Sequence, residues 1–527
     1  MTFSTLSKIT RRELLRRSAA LSSVGGASGV FGLQMAAMGS AAAAGATDYK
    51  ALVCIFMFGG NDAHNMLLAT DTDTWGRYTK ARQQGAEPIA LMPVGTPATA
   101  QGAVNPVTGR TLPNNNTAFI MPEAWGGALP IATATANPVP AGTTASARTF
   151  ALHPYLNAAL PLWTAGRMAA IANVGPLIQP TTKAQYTARS VPLPKNLMSH
   201  NDQQSTWQSG AGEGAQKGWG GLIADQILAS NGANGVFTAL STAGNAVFLA
   251  GQNIVQYQLS TAAAPAIAIS SAATNTASLY GAANAGARVR AIITDNANAS
   301  LFMKDYGAKV TRSMDAATTL NTTFANAAVT SVAAPTQLFN PITRVNENNS
   351  LAVQLQTVAR MIAAQSLLGV GRQVFFVSIG GFDNHDFQNT AQPQLLARLG
   401  HALAYFDGAL ANMNGVDRRT QVTTFTASDF CRTFTTNGDG TDHAWGSHHF
   451  VLGGAVKGGD LYGQYPTLGV DSSTFNNPSM AGNILVPTTS VDQYAGTMAS
   501  WFGLSNTQID GIFPNLKNFS TRNLGFV

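Results

Sequence analysis

The chain has 527 residues, 45% of them hydrophobic and only 11% charged, a balance that excludes a disordered polypeptide and allows a large buried core. Its formal charge of +6 falls to near +2 once the N-terminal cluster of Lys8, Arg11, Arg12, Glu13, Arg16 and Arg17 is set aside. With no basic stripe interleaved with aromatics, that balance argues against a nucleic-acid partner.

The first 46 residues read as an address. Thr10-Arg11-Arg12-Glu13-Leu14-Leu15 is a paired-arginine pattern, followed by a mildly apolar run from Ser18 to Ala44 and small residues suited to cleavage after Ala44 or Ala46. This resembles a twin-arginine export signal. It implies the export machinery as a partner and a periplasmic or extracellular location. Gly25, Gly26, Gly29, Gly32 and Gln34 interrupt the run, so no permanent membrane span is expected. Export in the folded state is compatible with a metal loaded beforehand. Only Cys54 and Cys431 are present, so no disulfide framework is expected.

Residues 47-527 read as one α/β domain, a mainly parallel central sheet between helical layers, with long irregular insertions near 92-146 and 260-345. Ala51 to Phe58 is a continuous apolar run, as expected for a strand buried on both faces. It breaks into Gly59-Gly60-Asn61-Asp62, where ligands collect in open α/β sheets. Met92 to Ser146 is rich in Pro, Gly, Thr and Asn, which suggests an irregular surface excursion. A short helix from Leu156 to Thr164 and a strand from Met168 to Val174 follow. Ser199-His200-Asn201-Asp202-Gln203 then precedes a helix near Leu222 to Leu228.

The Ala-, Ser-, Thr- and Asn-dominated stretch from Ser260 to Ser300 carries little signal. Ser350 to Leu368 has the spacing of an amphipathic helix. Gln373 to Ile379 is a second buried strand, and it breaks into Gly380-Gly381-Phe382-Asp383-Asn384-His385. A helix from Gln394 to Met413 leads to a third strand at Gln421 to Thr426, which ends in Ser428, Asp429 and Arg432. A glycine-rich loop then presents Asp442, His443, His448 and His449, and Val491 to Phe502 reads as a closing helix.

Three strands thus end in Asp62, Asp383 and Asp429. Side by side in a parallel sheet, these carboxylates would repel one another unless a cation or a proton neutralised them. Asp383 and His385, two apart in extended backbone, point the same way and can share an ion. His443, following Asp442, adds a second imidazole. Asp62, Asp383, His385, Asp429, Asp442 and His443 therefore form the candidate ligand set for a divalent metal. Mixed ligation suits zinc, manganese or iron, and an oxygen-dominated subset would suit calcium or magnesium. At most one of the adjacent His448 and His449 would join them, and His153 and His401 read as structural. No nicotinamide or flavin fingerprint is present.

Phe58-Gly59-Gly60-Asn61-Asp62, Ser199-His200, Gly380 to His385, Ser428 to Thr433, Gly440-Thr441-Asp442-His443 and Pro487-Thr488-Thr489 with Asp492 resemble, in this order, the domain-of-unknown-function family 1501. That family is similar to the alkaline phosphatase and sulfatase superfamily. The resemblance implies an alkaline-phosphatase-like fold and metal-assisted hydrolysis of a phosphate or sulfate ester, on a small-molecule or polymer substrate. It makes Ser199 a candidate nucleophile. Arg432 would either grip the anion's oxygens or pair with a carboxylate of its own chain. The family pattern usually has Glu where Asp429 stands and Gly where Cys431 stands. The competing expectation is a non-catalytic, metal-stabilised periplasmic or cell-surface binding protein.

Overall fold

Lys50–Met57 (β1) is buried along all but its first residue. Its alternate side chains serve two cores: Ala51, Val53, Ile55 and Met57 join one apolar cluster, while Leu52, Cys54 and Phe56 join another. A strand with apolar residues at both parities can only sit between two helical layers. The computed structural model describes residues 48–139, 147–261, 285–295 and 300–527. The paired-arginine pattern and parts of both expected insertions lie outside the described residues.

The central sheet also contains Met168–Gly175 (β2), Ala239–Ser241 (β3), Tyr257–Gln258 (β4), Arg372–Ile379 (β5), Val422–Ser428 (β6), Ser447–Leu452 (β7), Leu461–Tyr462 (β8) and Thr489–Ser490 (β9). Their order is β8-β2-β7-β6-β1-β5-β3-β4, with β9 also paired to β2. All pairings are parallel except the two made by β7, which runs antiparallel to both β6 and β2. The protein is therefore α/β with a mixed, mostly parallel sheet. Met57 is level with both Ile379 and Ser428, so β5, β1 and β6 end in one row.

Thr72–Arg82 (α1) follows the first strand's turn, and His200–Ser209 (α2) and Trp219–Ile227 (α3) follow β2. The remaining long helices are Leu301–Phe324 (α4), Ser350–Ala363 (α5), Gln388–Ala411 (α6) and Val491–Phe502 (α7). Leu351, Leu355 and Val358 of α5 and Leu396, Leu399 and Leu403 of α6 pack on one face of β1, while Ile223 of α3 and Tyr494 and Met498 of α7 pack on the other. The expected Val491–Phe502 helix forms over those residues, opened by a capping box between Ser490 and Gln493. Among the described residues no helix is long and apolar enough to cross a membrane.

Two expectations needed adjustment. The 92-146 region is not wholly irregular, because Leu129–Ile131 pairs with Phe150–Leu152, which also pairs with Leu67–Ala69, in a small antiparallel sheet. The second insertion contains α4, whose buried Gly307, Met314, Ala317 and Leu320 recur at helical spacing. Small and polar residues between these positions diluted the periodic signal.

Asp492, in the first turn of α7, is buried, and burial pushes its carboxyl from the ordinary 3.8 up to about 7 against a backbone hydrogen bond from Asn515. Between those two values the unfolded chain is ionised while the folded chain keeps the proton, so stability is lost as pH rises through that window. Asp492→Asn should therefore stabilise the protein above pH 7 by about 2–4 kcal/mol and have little effect below pH 4, once the helix N-terminus is allowed its favourable share. Urea titrations at both ends of the range check this.

Candidate metal centre

Because three strand ends are level, the segments leaving them are stitched together before any functional side chain is considered. Phe382 N–H donates to the Phe58 carbonyl at 3.1 Å, and Gly59 N–H donates to Asp429 Oδ1 at 3.2 Å. Gly59 has φ +111°, and a Cβ there would lie 2.5 Å from the Asp383 nitrogen, so only glycine lets these two turns cross. The segment after β6 folds back on itself through an antiparallel bridge between Arg432 and His443. That bridge carries His443 to the strand ends. The 437–440 turn then packs onto the second segment: Asn437 Nδ2 donates to the His385 carbonyl at 3.0 Å, and a Cβ on Gly440 would meet that oxygen at 2.2 Å.

Asp383 is the centre of what results. Its Oδ1 lies 3.1 Å from His385 Nε2 and 3.2 Å from His443 Nε2, and its Oδ2 lies 3.3 Å from His200 Nε2. The two nitrogens His385 Nε2 and His443 Nε2 are 2.9 Å apart. Among the described residues, the donor atoms of His200, Asp383 and His443 all lie within 4.8 Å of one another, as a metal would require. His385 touches two of its members. Ligands of a tetrahedral zinc ion with bonds near 2.05 Å would be about 3.3 Å apart, close to these separations.

Each imidazole has its other nitrogen occupied outside the cluster. His200 Nδ1 meets Asp429 Oδ2 at 2.7 Å, His385 Nδ1 meets Asp442 Oδ1 at 3.2 Å, and His443 Nδ1 donates to the Met198 carbonyl at 2.8 Å. Such outer partners are what aim metal-binding histidines. Met198 reaches His443 with its backbone at φ +69°, a left-handed conformation uncommon for methionine.

The arrangement is electrostatically incomplete. A carbonyl only accepts, so Nδ1 of His443 carries its proton, and burial lowers the ring's pKa from 6.5 despite that hydrogen bond. Its Nε2 is then a bare lone pair. If neutral His385 protonates Nε2 to meet it, a lone pair on Nδ1 faces the Asp442 carboxylate. If it protonates Nδ1 instead, two lone pairs meet at 2.9 Å. A cation between them, or one further proton shared by the two rings, resolves the conflict. Burial pushes the Asp383 carboxyl up, but the Arg432 hydrogen bond and charge, with His200 and His385 nearby, prevail and hold it below its ordinary value. The Asp429 hydrogen bond raises His200 against the effect of burial, as fits a ring between two carboxylates. The Asp383 side chain is 42% exposed, so the cluster opens to solvent.

The remaining sequence candidates stand around this cluster. Asp62 faces away from it: its carboxylate caps the following turn at His64 N–H (3.1 Å), accepts from Gln388 Nε2 at 2.6 Å and is gripped through both oxygens by buried Arg82. Asp429 and Asp442 lie behind His200 and His385. The Arg432 guanidinium is buried and committed to Asp383 Oδ1 at 2.5 Å, the Gly59 carbonyl and Thr441, so it serves the alternative expected for it, pairing with a carboxylate of its own chain. The Ser199 hydroxyl donates to Asp202 Oδ2 at 3.1 Å, at the entry of α2.

His448 and His449 are buried on β7, stacked on Tyr465 and packed against Trp207 respectively, away from the cluster. His153 caps a short turn through Tyr155 N–H and His401 meets Thr336, both structural. Cys54 and Cys431 are free and buried, and burial pushes the Cys431 thiol up to about 12.

The residue the sequence reading missed is His200. It figures in the motifs only as the neighbour of Ser199 and not as a ligand, because it lies far from the strand-end motifs, at the first turn of a helix. Arg82 left no local signal at all.

Asp62→Ala should be costly as a structural change. It leaves the Arg82 guanidinium buried without its counter-charge, a loss of about 3–5 kcal/mol. The same fall in urea midpoint is expected with and without a chelator. A metal ligand would show it only without.

No curated protein matches the chain. Residues 49–513 match the family model described as "Protein of unknown function (DUF1501)", from the start of the central sheet to the end of the short helix Asn506–Ile512 beyond α7, and the chain therefore belongs to that family.

Proposed function

We propose that the protein is an exported, metal-dependent hydrolase of phosphate or sulfate esters, its divalent metal held by His200, Asp383, His385 and His443. The observation that carries the metal half of this reading is the 2.9 Å approach of two imidazole nitrogens beside a carboxylate, with both outer nitrogens facing acceptors. Three imidazoles to one carboxylate suit zinc, with manganese or iron next, and make a poor oxygen cage for calcium or magnesium. The resemblance to the alkaline phosphatase and sulfatase superfamily supports the ester half, as does an open cluster at the C-terminal ends of parallel strands.

When bound, such a metal supplies positive charge that lowers the pKa of a water or hydroxyl and offsets charge on the transferring group. The chain's own part is positioning. Arg432 holds Asp383 in place and ionised, Phe430 packs against the His200 and His443 rings at 4.8 and 4.5 Å, and Ser199 stands one residue before His200.

Elemental analysis of the purified protein should find a transition metal, and His443→Ala should lower both its occupancy and the melting temperature in metal-containing buffer. The wild type should turn over one or more members of a phosphate and sulfate ester panel, with His443→Ala losing at least a hundredfold. Ser199→Ala in the same assay separates attack by the serine from attack by water. One observation favours a second reading, a non-catalytic metal-stabilised binding protein: the Ser199 hydroxyl and the Arg432 guanidinium are both engaged within the chain. A metal-replete protein inactive on the whole panel would select that reading.

For location, replacing Arg11 and Arg12 with Lys should leave uncleaved precursor in the cytoplasm, read by fractionation. Processed protein in the periplasm at the normal level would overturn the export assignment.

A further inference from the structure

The Asp429 side chain is fully buried and already served by donors. Gly59 N–H, which can only donate, meets Oδ1 at 3.2 Å, while Gln204 Nε2 and His200 Nδ1 both meet Oδ2 at 2.7 Å. It follows directly on β6, so its Cβ is held by the sheet, and Gln204 comes from the same helix as His200. The two nitrogens of an imidazole point to opposite sides of the ring. Since Nδ1 of His200 faces Asp429 and Nε2 faces Asp383, the ring stands between the two carboxylates. Asp429 therefore has no path to a cation lying among Asp383, His385 and His443.

We propose that Asp429 is a positioning residue rather than a ligand: it keeps the proton of His200 on Nδ1 and so presents the Nε2 lone pair to the metal. The proposal rests on the metal site put forward above. An acceptor fixed by a backbone amide and held in the sheet defines both the tautomer and the ring plane, whereas an exposed carboxylate such as Asp442 constrains its histidine less.

The test uses the full mature protein with ¹⁵N-labelled histidine. In chelated wild type, in alkaline solution where the ring is neutral, long-range proton–nitrogen correlation should show His200 protonated at Nδ1. Asp429→Asn can turn an amide NH₂ toward that nitrogen and should mix or reverse the tautomer. Zinc affinity measured against a competing chelator should fall about 10–100-fold in that variant. Asp429→Glu, which keeps a carboxylate, should recover part of it. An Nε2-protonated His200 in the wild type would overturn the proposal, and this measurement needs no variant to fold. Undiminished zinc affinity in folded Asp429→Asn would overturn it too. A wild type that binds no zinc would remove this proposal and the metal site together. Zinc binding that weakens as described, in a protein that cleaves no ester, would end the hydrolase reading and support this one.

Discussion

The common end-row of β5, β1 and β6 is the constraint on which the rest depends. Parallel pairing in register sets Ile379, Met57 and Ser428 side by side, and each strand then has only a few residues in which to leave the sheet. Three polar turns forced into one small volume must satisfy one another. They do so through backbone amides and carbonyls first, and the side chains that remain face a common point. Asp383 stands there because its turn is held by the Phe58–Gly59 segment on one side and by Arg432 of the returning hairpin on the other.

The acidic residues that looked equivalent in sequence divide according to what lies behind them. Asp62 has a fully buried arginine within reach and becomes part of the interior. Asp429 meets a helix bearing His200 and Gln204 and becomes an acceptor for both. Asp383 alone keeps a side open to solvent. One cation, Arg432, prevents its charge from being quenched by protonation while leaving the histidine nitrogens free of competitors.

The strands at Lys50, Met168, Arg372 and Val422 and the helix at Val491 were legible because burial on both faces, or along a stripe, leaves an uninterrupted apolar record. Asp383, His385 and His443 were legible because a glycine turn at a strand end is a local event. His200 was not, since what brings it to Asp383 is the packing of α2 across the strand ends, a contact over nearly two hundred residues that no window contains. The same holds for Arg82, whose partner's role changes only when the fold places a guanidinium beside it. The antiparallel direction of β7 also escaped, because its buried histidines read as chemistry when they are packing.

The central position of β1 has a consequence for how the molecule is made. The first strand of the sheet is its middle strand, yet the residues that flank it begin at Arg372 and Val422. During synthesis, β1 must therefore remain without either neighbour until most of the chain has emerged, and its apolar faces stay available to wrong partners for that interval. Contacts of such sequence separation make for slow folding with a late commitment. The donors around Asp383 come together only at that closing step, so the cluster of histidines and the central sheet are completed in one event.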